Sequence, residues 1–253
     1  MLLPSLFGAL AFCLYTGHVR LTIAIAFVLF LSSVAYAADK PSIPVLRFAE
    51  GSPNCTVRAT DDGHVYYSIS SGDYEITLGV DRQELEKVKH RVIPMLGVLL
   101  SFKYKGDKKF EVQQNRFTLE FVKHFQVVQS SLDPDVMLQN LQQHTDDYTD
   151  EVERHQVKHH PDEKEKAEGN LQAHLKDYTE MMDFVSTHAL RPGTLDSANS
   201  SAEGWVFFNT KNRWIGGWRR PEQFVLRLPV ENVIIEFPFQ LPPQQGKVEL
   251  RQR

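Results

Sequence analysis

The chain has 253 residues, 42% of them hydrophobic, and carries 28 basic against 32 acidic side chains for a net charge of −4. That much apolar content supports a packed core and excludes a disordered chain. The acidic balance and the lack of any recognisable binding motif exclude nucleic acid as the expected partner.

The first element is a leader. Arg20 precedes the apolar run from Leu21 to Leu31, and Ala35-Tyr36-Ala37 closes it. A positive residue, an apolar stretch of about ten residues and a small-x-small site are what export and its peptidase require. Cleavage is expected after Ala37, making residues 1–37 a signal peptide and the protein periplasmic or extracellular. The preceding residues are also apolar, and two readings fit them. Translation starting at Val19 would place them outside the true leader. Alternatively, residues 1–37 stay uncleaved as an inner-membrane anchor, each apolar run approaching the roughly 20 residues that span a bilayer. No cysteine directly follows the cleavage site, which argues against a lipoprotein. The leader reads as bacterial, so the triplets Asn54-Cys55-Thr56 and Asn199-Ser200-Ser201 are discounted as glycosylation sites. Of the two cysteines, Cys13 lies in the leader, so no intramolecular disulfide is expected; Cys55 reads as a packed, inert thiol, the alternative being an intermolecular or redox site.

Short aromatic and β-branched runs follow, separated by turn signals at the spacing of an all-β domain. His64 to Ile69 and Tyr74 to Val80 flank Ser71-Gly72-Asp73 and predict a β-hairpin with a three-residue loop. The charged stretch from Asp81 to His90 fits a short helix. Val98 to Tyr104 and Phe110 to Val112, either side of Gly106-Asp107, predict a second strand pair. Arg116 to Phe121 alternates, with Phe117, Leu119 and Phe121 on one face. Later runs are Gly204 to Phe208, Phe224 to Leu228 and Val233 to Phe237. About eight strands are expected in all, with Pro238, Pro242 and Pro243 closing the last sheet because proline cannot donate to a ladder.

The run Arg116 to Phe121, and the pairing of Gly204 to Phe208 with Phe224 to Leu228, resemble the closing strands of secreted bacterial immunoglobulin-like domains of the telokin-like kind. The resemblance implies a β-sandwich with an adhesive or scaffolding role and no shared active site. The expected fold is therefore mainly β, an immunoglobulin-like β-sandwich formed by residues 38–132 and 191–253, interrupted by an inserted antiparallel α-helical hairpin.

That insertion, residues 133–190, holds 14 acidic against 5 basic side chains and six of the ten histidines. Asp133-Pro134-Asp135 is a helix start, with an N-cap carboxylate and proline in the first turn. Leu138, Leu141, Thr145, Tyr148 and Val152 form one stripe at helical spacing. Pro161 ends that run, and Ala167, Leu171, Leu175, Tyr178, Met182 and Val185 form a second. Folding the two arms back on each other sets Leu138 against Val185, Leu141 against Met182, Tyr148 against Leu175 and Val152 against Leu171. Each arm would extend about 33 Å at 1.5 Å per residue. Gly169 weakens the second arm.

At the tip the seam turns polar, with His155 opposite Glu168 and His159 opposite Lys164. Three readings fit this: a solvated helix end, a metal-responsive pair with Glu168 or His160 as third ligand, or a pair loosened by protonation. Two well-placed ligands fall short of a specific site, so no metal or cofactor is expected. The segment Asn212 to Pro221 carries Trp214, Trp218, Arg219 and Arg220 around a Gly-Gly pair. Exposed, these four would bind sugar rings, a lipid boundary or a protein; buried, they belong to the core. The chain has no nucleophile elbow, His-Glu-x-x-His, phosphate loop or paired Cys-x-x-Cys. An unrecognised carboxylate pair remains the only route to a hydrolase. The reading that combines these features is an exported, non-catalytic binding or scaffolding protein, with the acidic helices meeting a protein partner. Membrane contact would come only through the leader or a weak surface interaction.

Overall fold

A computed structural model describes residues 43–124, 127–157, 163–212 and 221–243. The expected leader lies outside these residues, as do Trp214, Trp218, Arg219 and Arg220. Strand outweighs helix, 42% to 31%, so the protein is mainly β.

Twelve strands are present among the described residues: β1 Val45–Arg47, β2 Cys55–Ala59, β3 His64–Ser71, β4 Tyr74–Asp81, β5 Met95–Tyr104, β6 Phe110–Val112, β7 Thr118–Phe121, β8 Val127–Ser130, β9 Gly193–Leu195, β10 Ser201–Asn209, β11 Glu222–Val230 and β12 Val233–Leu241. The first five-stranded sheet has the order β1-β12-β11-β7-β8, and the second has β10-β5-β4-β3-β2. β6 and β9 form a small separate pair. All pairings between these strands are antiparallel except that of β1 with β12.

The period of two decides which residues are buried. Val65, Tyr67 and Ile69 of β3 alternate into the core, as do Ile235, Phe237, Phe239 and Leu241 of β12. Residues from both five-stranded sheets share this one apolar cluster. Phe48 links them, meeting Tyr67 edge-on at 5.4 Å and stacking on Phe237 at 6.1 Å. Phe102 and Phe117 make a second link at 6.0 Å.

Several sequence expectations need correction. The loop between β3 and β4 has two residues, because Ser71 pairs with Tyr74, and Gly72 takes the positive φ of 55° that such a turn requires. β5 does not pair with β6; it lies between β4 and β10, and β6 pairs with β9. Pro238 does not close the sheet but sits inside β12, opposite Val225. Ile234 and Glu236 direct backbone groups toward β1, donating to Pro44 and accepting from Phe48. Pro238 is in the same phase, just past the last β1 pairing at Glu236, so its missing N–H leaves no ladder bond unmade.

Among the described residues three α-helices accompany the sheets: α1 Glu84–His90, α2 Pro134–Glu151 and α3 Lys164–His188. The Glu84 carboxylate is buried, accepting from the Arg91 guanidinium and the Gly97 N–H, and so pins α1 to β5. Burial outweighs these partners and raises its pKa. Asp133 caps α2 by accepting from the N–H groups of Asp135 and Val136. Past Glu151 the chain continues in a π-helical turn, Val152–Val157. Met137 and Leu141 of α2 pack with Tyr178 and Val185 of α3 against Met95 and Phe207, on the face of the second sheet opposite the main core. Farther along the pair, Val152, Ala167 and Leu171 join Tyr148 and Leu175. The segment holding the helices is tied to β10 at both ends: Leu132 N–H donates to Phe207 O at 2.8 Å and Leu190 N–H to Trp205 O at 2.9 Å. A Cβ on Gly204 would overlap the backbone of Leu190.

Across the outer face of the first sheet runs a charge ladder. Arg47 and Arg227 donate to Glu236 at 2.7 and 2.8 Å, and Arg227 also donates to Glu120 at 2.7 Å. Burial works to raise the Glu236 pKa, but its hydrogen bonds and charge contacts with Arg47 and Arg227 outweigh it and hold the carboxyl below 4.5.

Gly204→Ala should lower unfolding stability by roughly 1–3 kcal/mol because the Leu190 backbone must move. Gly169→Ala should raise it by about 1 kcal/mol, since a Cβ there meets nothing within 4 Å. Urea denaturation measures both, and a stable Gly204→Ala protein would refute the close docking. Glu236, with its pKa lowered on folding, contributes stability fully above 4.5 and loses it as pH falls through its folded value. Glu236→Gln should therefore be less stable than the parent at neutral pH, with the difference shrinking in acid. Unfolding curves from neutral to acid pH test this.

Candidate functional site

The helices cover only one end of the outer face of the second sheet. Met95, Trp205 and Phe207 lie under them, with the Phe184 ring 5.8 Å from Trp205 and 6.3 Å from Phe207. The remainder of that face is an open groove of about 330 Å³ that reaches from Thr56 and Arg58 on β2 to Glu203 on β10. Five strands at about 4.8 Å spacing make it roughly 19 Å across.

Its floor is set by the β3–β4 register. Tyr66 pairs with Gly79, and a Cβ on Gly79 would lie only 3.0 Å from the Tyr66 ring, so the ring leans over a position that only glycine leaves open. Arg58, the β2 partner of Tyr66, places its guanidinium over that ring at 5.2 Å from the centroid. Burial, reinforced by the Asp62 charge, raises the Tyr66 phenol above its ordinary value. Beside it, the hydroxyls of Ser68 and Thr77 hydrogen-bond at 2.8 Å across the same strand pair. Ser101 and Leu99 continue the floor on β5. Glu75 and Lys103, opposite each other across β4 and β5, form an ion pair at 3.8 Å. His64 joins the groove wall to the helix-covered end, with its ring 6.1 Å from Tyr66 and 6.4 Å from Trp205.

The groove therefore combines hydroxyls, an aromatic ring and one aliphatic side chain with two cations and two carboxylates, Arg58 and Lys103 against Glu75 and Glu203. Such a surface offers hydrogen bonds in both directions and no net charge. It is suited to holding a polar ligand.

The sequence-selected sites fall elsewhere. Trp214, Trp218, Arg219 and Arg220 lie outside the described residues; the segment is flanked by a buried His124–Glu222 contact of 3.1 Å. His159 and His160 also lie outside them. Glu168, the suggested third ligand, pairs with Lys164 at 3.6 Å. Among the described residues no group of three His, Cys, Asp or Glu side chains is placed to hold a metal ion. No described helix is long and apolar enough to cross a membrane. Cys55 is a half-buried free thiol packed on the main core.

None of the groove residues was singled out as a site by the sequence reading, although a signal was present. In β3 the polar alternates His64, Tyr66 and Ser68 face away from the core, and Gly79 interrupts a neighbouring strand where a side chain would normally pack. The chain matches no known protein family, no curated protein and no solved structure.

Proposed function

We propose that this chain is an exported, non-catalytic binding protein of the bacterial cell envelope that takes its ligand into the groove on the second sheet. The single observation behind this is the convergence of Tyr66, Gly79, the Ser68–Thr77 hydroxyls and the Glu75–Lys103 pair on one open polar surface. In this reading the two sheets are an immunoglobulin-like β-sandwich, supported by their shared core and by the parallel pairing of the first and last strands. The helices form an antiparallel hairpin inserted between β8 and β9, supported by their common apolar seam.

The hairpin covers the other end of that sheet face and carries an acidic surface. Asp146, Asp147, Asp177, Glu180 and Asp183 are exposed on it. A protein partner on that surface is the second reading, and its support is the exposure of these carboxylates on a pair of helices fixed to the sheet.

Hydroxyl-radical footprinting of the full chain, with and without solubilised cell-envelope extract, separates the two. Groove binding should reduce oxidation of Tyr66 and Leu99 several-fold and leave Met181 on α3 unchanged. Protection confined to Met181 and its neighbours would move the function to the helices. Protection confined to Trp214 and Trp218 would move it to residues 213–220.

A further inference from the structure

We propose that the ligand of this groove is a neutral, hydroxyl-rich oligosaccharide bound as an extended chain across the strands. This inference rests on the groove being the binding site and goes further by assigning the chemical class of its occupant.

Three observations point to that class. The first is charge. The four ionic groups that line the groove cancel, and two of them, Glu75 and Lys103, already neutralise each other. An anionic or cationic chain would meet as many like charges as opposite ones, so the groove attracts neither. An uncharged ligand incurs no such repulsion and still finds carboxylates and cations as strong hydrogen-bond partners.

The second is the mixture of surfaces. A sugar ring has an apolar C–H face and a rim of hydroxyls that both donate and accept. The groove supplies the matching pair: apolar area from Tyr66 and Leu99, and hydroxyls from Thr56, Ser68, Thr77 and Ser101 that also donate and accept. A peptide would more readily satisfy its backbone along a strand edge, whereas this groove runs over the face of the sheet, where the ladder is already paired.

The third is shape. The groove is open and crosses all five strands, from Arg58 to Glu203, so it has room for a chain of rings and no closed pocket to select a single ring. The bare floor at Gly79, with the Tyr66 ring leaning across it, is the point of closest approach for one ring of that chain.

Isothermal titration of the purified full chain tests the class. The neutral probes are cellohexaose, maltohexaose and chitohexaose; the charged controls are polygalacturonate and a mixed-sequence nonapeptide. Binding of a neutral probe is expected, with an affinity unchanged between low and high salt. Tyr66→Ala, and separately the Thr77→Ala/Ser101→Ala double variant, should each weaken it by about tenfold or more. The double variant alters only outward-facing hydroxyls, so it remains informative if Tyr66→Ala fails to fold. Failure of every neutral probe to bind overturns the oligosaccharide assignment. If a charged control binds instead and the same variants weaken it, the groove stands and its ligand class is wrong. Neutral binding that neither variant alters removes the groove itself from the function. Recovery of the bound probe intact is the expected outcome, and its cleavage would overturn the non-catalytic reading.

Discussion

Phe207 and Met95 point away from the main core, and much of the architecture depends on covering them. Both are buried, yet they belong to the cluster shared with the helices and not to the one between the sheets. A sheet that is apolar at one end of its outer face must recruit another element there, since leaving two such side chains in water would forfeit on the order of 1.5–3 kcal/mol each. Met137, Leu141, Tyr178 and Val185 supply that cover. The same strands become polar toward Ser101, Lys103 and Glu203, where cover has no energetic reward, and there the face stays open. The position of the groove is thus a by-product of where β5 and β10 change character.

The helices have weak reasons to stay in place on their own. α2 has a good cap, but Gly169 penalises α3, and the surface ion pairs Arg154–Asp150 and Lys176–Glu180 are exposed contacts of small value. Their attachment comes from the sheet. Backbone hydrogen bonds from Leu132 and Leu190 to β10 fix both ends of the segment and also occupy part of the β10 edge, which would otherwise invite another strand. Gly204 permits the second of these by leaving room for the Leu190 backbone. The Tyr148, His174 and Tyr178 rings then continue the seam, with centroids 4.0 and 4.4 Å apart.

Local patterns in the sequence anticipated a good part of this. Alternation placed Phe117, Leu119 and Phe121 on one buried face, and the helical stripes contain most of the side chains that α2 and α3 bury. Met137 escaped because it adjoins Leu138, and a stripe drawn through one of two neighbouring apolar residues omits the other. β1 and β9 have three residues each, too short to show a period. The partner of β5 is hidden for a different reason: β10 follows the whole helical segment, and no local pattern records which strand will return to lie beside it. The groove was illegible in the same way. Its side chains come from five strands and meet only once the register is set, so Tyr66 and Gly79 look like an ordinary aromatic residue and an ordinary interruption until they are paired.

This ordering separates the residues that hold the fold from those that line the groove. The residues that hold the fold are inward alternates and ion pairs with at least one buried partner, such as Glu84 with Arg91 and Glu236 with Arg47 and Arg227. Removing one partner from these would strand a buried charge, which makes them poor places to vary. The groove residues are outward alternates on the same strands. Thr56, Arg58 and Glu203 are exposed, and Ser68, Thr77 and Ser101 are half-buried, so they can change while the inward set keeps the backbone fixed. A rigid sheet with a replaceable outer face is a scaffold whose groove can change in shape and polarity without repacking the core. Gly79 is the exception, because any side chain there would displace Tyr66, and it couples the shape of the groove to the backbone beneath it.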